Sequence, residues 1–351
     1  MPAEQVRECA DRVLRDDPAG ALSYGPGSGY PPLRDWIAGR HRVAPERVMV
    51  TNGSLEAGIM LFRHLVGPGK RAIVEAPTYD RTLLALRQLG ADVTAVPLED
   101  DGIDVGALEQ ALGSGATPEL LHTIPNFHNP AGCTLAPAKR TRLLQLAAEQ
   151  GFTIFEDDPY GELRFEGEDF PTMLSQDTSQ SVVFASSFSK TISPGVRVGY
   201  LIGPEEPITA LTKVAVNTYI SPNVLSQAIV YEFCRSGEIE RSIATVKRAL
   251  RERRDAVAEG LRANLGDEAR FVLPEGGYFL WVELPEEVDT RALLEAAKER
   301  GVTFVAGGDF FMEGGANTLR LAYSAVTPEE ATEGTRLLGE ALQSLRAGAA
   351  A

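Results

Sequence analysis

Apolar residues in the first part of the chain gather in short runs separated by amphipathic stretches. Seven runs read as strands: RVMVT (47–51), RAIVEA (71–76), DVTAVPL (92–98), LLHTIP (120–125), FTIFED (152–157), SVVFAS (181–186) and RVGYLIG (197–203). Several are apolar on both faces, as a strand inside a mostly parallel sheet must be when helices cover it above and below. Between them the apolar spacing turns helical over 54–66, 80–89, 104–112 and 136–150. This strand, turn and helix alternation predicts a doubly wound α/β domain built on a seven-stranded, mostly parallel sheet. Ahead of it, Val6, Ala10, Val13 and Leu14 share one face of a short helix over 4–16. Asp17–Pro18 ends that helix, because the residue before proline avoids helical angles. A loop rich in Gly and Pro, LSYGPGSGYPP, then leads into a helix beginning near Leu33.

The pattern changes near residue 220. A long charged helix over 238–264 carries Ile239, Ile243, Val246, Leu250, Val257 and Leu261 at helical spacing. Strands over 278–284, 302–306 and 318–324 follow, with helices near 290–299 and 328–345, and these predict a smaller α+β unit. The expected division is an N-terminal helix and arm (1–30), a large α/β domain (31–220) and a small C-terminal domain (221–351). A length of 351 residues suits two packed domains.

Charge narrows the partners. The net charge of −15 repels phosphate backbones and anionic lipid, so neither nucleic acid nor membrane is an expected partner. Cys9, Cys133 and Cys234 are odd in number and widely spaced, which argues against a disulfide framework and a structural zinc site. His41, His64, His122 and His128 show no metal-ligand spacing, so no metal is expected. No apolar run approaches the roughly 20 residues that span a bilayer. The N-terminus is charged and has no apolar signal core, so a cytoplasmic protein is expected.

The most informative stretch is SSFSKTISPGVRVGY, Ser186 to Tyr200. It places Lys190 in a Ser-, Gly- and Pro-containing turn between two apolar strands. A surface lysine needs no such company. A lysine that forms a Schiff base needs a partly desolvated amine, so that a neutral fraction exists at working pH. If the aldehyde it meets carries a phosphate, hydroxyls, backbone N–H groups and a cation must lie close by. Ser187, Ser189 and Arg197 are groups of that kind.

The run S-x-S-K-x-x-x-P-G-x-R-x-G-Y resembles the cofactor-lysine motif of the class I/II aminotransferases, enzymes of pyridoxal-phosphate fold type I. The resemblance extends over nearly the whole chain and is nearest to the 2-aminoadipate, kynurenine and broad-specificity subgroup. In one group of bacterial regulators the same domain is fused to DNA-binding helices. The resemblance implies a pyridoxal 5'-phosphate cofactor bound to Lys190, and amino-group exchange between an L-amino acid and a 2-oxo acid. It implies a large doubly wound domain followed by a smaller α+β domain.

Further roles follow from the resemblance position by position. PNFHNPAGCTL implies that Asn129 donates to the phenolic oxygen of the cofactor, although an Asn-Pro pair also serves as an ordinary turn. FEDDPYGEL implies Asp157 at the pyridine nitrogen and Tyr160 at the phenolic oxygen, with Asp158 on the opposite strand face. Acids at a strand end are also common in plain loops. VTNGSLEAGIML implies a phosphate cradle at Gly53, Ser54 and Leu55, against the alternative of a plain helix cap by Asn52 or Ser54. Many relatives have glutamine at the Leu55 position, so only the Leu55 backbone N–H serves here. Tyr79 is implied to stack on the cofactor ring, or else it is a half-buried tyrosine at a strand end. Arg320, inside the apolar stretch NTLRLAYS, is implied to hold the substrate α-carboxylate together with Asn129, an internal salt bridge being the alternative.

The loop from Tyr24 to Tyr30 contains G-P-G-S-G, but no strand precedes it, which excludes a dinucleotide fingerprint. It resembles the family segment whose tyrosine, here Tyr24, reaches the phosphate in a neighbouring subunit. A homodimer with shared sites is therefore implied. His128 borders Asn129 and is given no catalytic role. Relatives also carry a further N-terminal stretch that covers the substrate. Either this chain's start lies further upstream, the cover comes from elsewhere, or the pocket is open. Two alternatives to transamination stand: another pyridoxal-phosphate reaction (β-lyase, cyclase or oxidase), and an effector-binding regulator domain.

Overall fold

The computed structural model describes residues 1–115 and 117–349. Eight strands form one sheet: β1 (Val48–Thr51), β2 (Arg71–Ala76), β3 (Asp92–Glu99), β4 (Gly102–Ile103), β5 (Leu120–Thr123), β6 (Thr153–Asp157), β7 (Val182–Ser187) and β8 (Gly199–Ile202). Their order is β1-β8-β7-β6-β5-β2-β3-β4. Neighbours from β7 to β3 pair in parallel, whereas β8 runs antiparallel to both β7 and β1. The expected sheet had seven strands. The eighth, β4, is a two-residue return that pairs Leu98 with Ile103 and Glu99 with Gly102. Two residues are too few to leave an alternation in the sequence.

The helices are α1 (Ala3–Asp16), α2 (Pro18–Ala21), α3 (Pro31–His41), α4 (Ser54–Leu65), α5 (Asp80–Gln88), α6 (Val105–Gly113), α7 (Pro137–Gln150), α8 (Met173–Gln176), α9 (Glu205–Tyr219), α10 (Val224–Arg235), α11 (Glu238–Leu265), α12 (Thr290–Lys298) and α13 (Pro328–Ala349). The sheet separates two cores, as the period of two along each strand demands. Val50, Ile73, Leu121, Ile154 and Phe184 enter one core with Leu33, Ile37 and Phe233. Their neighbours Met49, Val74, Leu120, Phe155 and Val183 enter the other with Leu61, Leu86 and Leu211.

Helices α9 and α10 are additions to the expected elements. In α9 the β-branched Ile, Thr and Val residues blur the helical signal, yet the buried Ile208, Leu211 and Ala215 keep a spacing of three and four. Helix α10 is capped by Asn223, whose side chain accepts from the Ser226 N–H, and it buries Val230, Phe233 and Cys234.

Beyond α11, strands β9 (Phe279–Glu283), β10 (Val305–Ala306) and β11 (Thr318–Ala322) form an antiparallel sheet in the order β10-β11-β9. Strand β10 is shorter than the expected 302–306 because it is an edge that pairs only at Val305 and Ala306. Leu280, Val282 and Leu319 pack with Leu250, Val257 and Leu261 of α11 and Leu338 and Leu342 of α13. Among the described residues, no helix is long and apolar enough to cross a membrane.

Candidate active site

Strands β1, β2, β5, β6 and β7 share one direction, so their C-terminal ends open on one edge of the sheet. In open α/β sheets that edge is where loops converge on a ligand. Ser54, Leu55, Tyr79, Asn129, Asp157 and Tyr160 line one cavity of about 310 Å³ there. Ser187, Ser189, Lys190, Arg197 and Arg320 complete it. Strand β8, running the other way, begins at this edge and delivers Arg197. Strand β11 brings Arg320 across from the smaller sheet. Gly53 lies against Arg197. Tyr24 stands apart from the cavity and is 82% exposed.

One end of the cavity suits an anion. Helix α4 starts at Gly53 and Ser54 without any side-chain cap. The Asn52 amide oxygen is engaged elsewhere, accepting from the Asn223 N–H at 3.0 Å. The first N–H groups of α4 therefore lack side-chain partners and carry the positive end of the helix dipole. Backbone approaches are close here. Gly53 has φ 101°, and a Cβ on it would lie 2.4 Å from Arg197 Nη2. A Cβ on Gly199 would lie 2.4 Å from the Ser54 nitrogen. Arg197 Nη2 donates to the Asn52 carbonyl at 3.1 Å, and no carboxylate bonds it among the described residues. Ser187 Oγ accepts from the Ser189 N–H at 3.1 Å. An uncapped helix start, an arginine without an acid partner and two serines fit a phosphate group.

The other end suits a protonated aromatic nitrogen. Asp157 Oδ2 lies 3.6 Å from His122 Nε2, and its Oδ1 is buried without a partner. A buried carboxylate oxygen lacking a donor marks the place of a ligand N–H. Asp158 is directed elsewhere: its oxygens accept from Asn126 Nδ2 and the Gly161 N–H, both at 2.8 Å. Burial pushes its pKa up to about 6.

Lys190 lies between these two ends. Its Nζ sits 5.1 Å from the Tyr278 ring centre and 5.7 Å from that of Tyr160. The Tyr278 hydroxyl donates to the Lys190 carbonyl at 3.0 Å. Burial, then the charges of Arg320 and Arg197, hold the lysine below its ordinary pKa against the opposing pull of Asp157. A larger neutral fraction makes the amine a better nucleophile. Burial, reinforced by Asp157, pushes the Tyr160 phenol up.

Arg320 stacks between Phe279 and Phe310, 4.2 and 4.9 Å from their ring centres. Its Nη1 donates to Asn129 Oδ1 at 2.6 Å, and its Nε is buried without a partner. Among the described residues no carboxylate pairs with it, so the internal salt bridge weighed from sequence is not formed. The guanidinium asks for an anion from outside the chain.

Sequence reasoning gave His122 no place beside Asp157. Its signal was a histidine inside an otherwise apolar strand, read there only for metal spacing. His128 does not line the cavity. Its Nε2 instead meets Glu75 Oε2 at 2.9 Å, and both side chains are 1% exposed.

Comparison with known proteins agrees with this geometry. The profile of the family described as aminotransferase class I and II matches residues 2–338. The chain is 37% identical to the 2-aminoadipate transaminase of Thermus thermophilus over 99% of its own length and 88% of the relative's. It is 35% identical to aromatic-amino-acid aminotransferase 1 of Thermococcus litoralis, over 98% and 85%. The structure of the α-aminoadipate aminotransferase from T. thermophilus, complexed with N-(5'-phosphopyridoxyl)-L-leucine, superposes with a TM-score of 0.95 at 36% identity, over 99% of this chain and 90% of that one. The chain therefore belongs to the class I and II aminotransferases of pyridoxal-phosphate fold type I, enzymes that move an amino group between an amino acid and a 2-oxo acid.

Proposed function

We propose that Lys190 is the catalytic residue and covalent anchor of pyridoxal phosphate. The observation that carries this is the desolvated Lys190 amine, set between an unpartnered Asp157 oxygen and the uncapped start of α4. In this reading Gly53, Ser54, Leu55, Ser187, Ser189 and Arg197 hold the phosphate. Asp157 keeps the pyridine nitrogen protonated, Asn129 and Tyr160 meet the phenolic oxygen, and Tyr79 covers the ring. The bound cofactor supplies an electron sink for the bond broken at the substrate Cα. Arg320 and Asn129 orient the substrate through its α-carboxylate. With substrate in place, Lys190 Nζ would be the base that takes the proton from Cα.

The names of the relatives and the aromatic Phe279, which lines the cavity beside Arg320, support a permissive side-chain site. It leans toward 2-aminoadipate, glutamate, or large apolar and aromatic donors. The working form is a homodimer with shared sites. Exposed Tyr24, Val216 and Ile220 support this: the loop that carries Tyr24 lies against the end of α9, where the Gly25 N–H donates to Ser221 Oγ and Gly27 approaches Val216, and these apolar side chains still face water. We assign the protein to the cytoplasm, and its chain to an arm (1–30), a cofactor-binding domain (31–220) and a C-terminal domain (221–351), whose first helix, α10, packs into the core of the large sheet through Val230, Phe233 and Cys234.

Borohydride treatment of the yellow holoenzyme should fix the chromophore to the peptide containing Lys190. Labelling of another lysine would sink the assignment. A panel of L-amino acids with 2-oxoglutarate tests the substrate range, and a strict preference for one small donor such as alanine overturns the permissive site.

A further inference from the structure

We propose that Glu75 and His128 form a positioning pair that sets the orientation of the Asn129 amide. The inference rests on the reading of Asn129 as a cofactor and substrate contact, and goes beyond it to residues outside the cavity.

Glu75 lies next to the last residue of β2 and is 1% exposed. Its oxygens accept from Thr123 Oγ1 at 2.6 Å, the Ile124 N–H at 3.0 Å and His128 Nε2 at 2.9 Å. Burial acts to raise the pKa of Glu75. The interaction with His128, with hydrogen bonds from Thr123 and Ile124, outweighs it and holds the acid below its ordinary value. His128 Nδ1 accepts from the Ala131 N–H at 3.3 Å, so Nε2 is the nitrogen that donates to Glu75.

The His128 backbone closes the turn that carries Asn129. Its N–H donates to the Cys133 carbonyl at 2.9 Å, and its carbonyl accepts from the Gly132 N–H at 2.6 Å. Phe127, just before it, has φ 49°, a conformation that costs a residue with a side chain. The ring of His128 therefore pins a strained turn to the sheet one residue before the functional amide. The amide has two faces. Its oxygen must meet Arg320 Nη1, as it does at 2.6 Å, and only then does its NH₂ group face the opposite way to serve as a donor. A slackened turn lets the amide rotate, which sets NH₂ against guanidinium and removes the donor. A buried acid hydrogen-bonded to an imidazole is a poor way to gain stability alone, since both polar groups give up water to be there. Orientation is what the pair adds.

The test follows the absorbance of the bound cofactor in the holoenzyme as pH is varied, because a donor to the phenolic oxygen lowers the midpoint. Asn129→Ala should raise that midpoint by roughly one pH unit, the size of one lost charge-assisted hydrogen bond. His128→Leu and Glu75→Gln should raise it in the same sense. His128→Gln keeps an N–H within reach of Glu75 and should stay near wild type. The double variant His128→Leu with Asn129→Ala should shift no further than Asn129→Ala, since the pair acts through that amide. A wild-type midpoint in Glu75→Gln, or in a folded, cofactor-bound His128→Leu, overturns the positioning role alone. An unmoved midpoint in Asn129→Ala overturns the Asn129 reading and the pair's role with it.

Discussion

Replacing Arg320 with alanine separates substrate recognition from cofactor binding. The guanidinium is pre-set: it stacks between Phe279 and Phe310 and is steered by Asn129 at 2.6 Å. It therefore meets a carboxylate with little rearrangement and can make two parallel hydrogen bonds to it. Each bond to a charged group contributes about 1.5–3 kcal/mol, so the pair supplies about 3–6 kcal/mol. Water entering the space left in Arg320→Ala restores part of this. A net loss of about 3–4 kcal/mol remains, or roughly two to three powers of ten in kcat/KM for amino acids. Arg320→Lys keeps the charge but not the fork, and should lose about half as much in free energy. The assay is the half-reaction with an L-amino acid, followed by the change in cofactor absorbance, with a primary amine lacking a carboxylate as control. Cofactor content should survive in both variants, the absorbance midpoint should move in Arg320→Ala because Asn129 and Lys190 lose a neighbouring guanidinium, and the control amine should lose far less than the amino acids. A loss below about fivefold, or an equal loss for the control amine, refutes the carboxylate role.

Asp157→Ala should abolish turnover, whereas Asp158→Ala should retain much of it and lose about 1–3 kcal/mol of stability, because Asn126 Nδ2 and the Gly161 N–H lose their acceptor; activity and thermal melts distinguish the two, and the reverse order would show the register to be wrong. Since Lys190 is held below its ordinary pKa, apoenzyme should capture the cofactor with a pH midpoint below that of a free lysine, and Arg197→Gln should move the midpoint up by removing a neighbouring positive charge. Below that window the folded apoenzyme bears the cost of a buried charge. Its stability should therefore rise with pH toward the ordinary lysine value, where the unfolded chain still binds the extra proton, and denaturant melts of Lys190→Met should lack that rise. Sedimentation should show a dimer, and Tyr24→Ala should weaken cofactor retention; a fully active monomer is the contrary result.

Much of this protein is legible from local pattern. Strands buried on both faces leave continuous apolar runs, and helices leave a three-and-four spacing, so the seven main strands and the helices between them stand out in the sequence. The lysine motif is also local: Ser187, Ser189, Lys190, Arg197 and Gly199 lie between the end of β7 and the start of β8. Other features depend on contacts that no local pattern records. Strand β4 is too short to alternate, and α9 is blurred by β-branched residues. His122 acquires a place beside Asp157 only because β5 and β6 pair in parallel and set His122 opposite Phe155. Glu75 and His128 are far apart in sequence, and their 2.9 Å contact exists because β2 lies next to β5. Whether Asn52 caps α4 or bonds elsewhere was open until Asn223, distant in sequence, took its oxygen. Propensity and periodicity act over a few residues. The partner of a buried polar atom is settled by which strands become neighbours, and only the tertiary structure decides that.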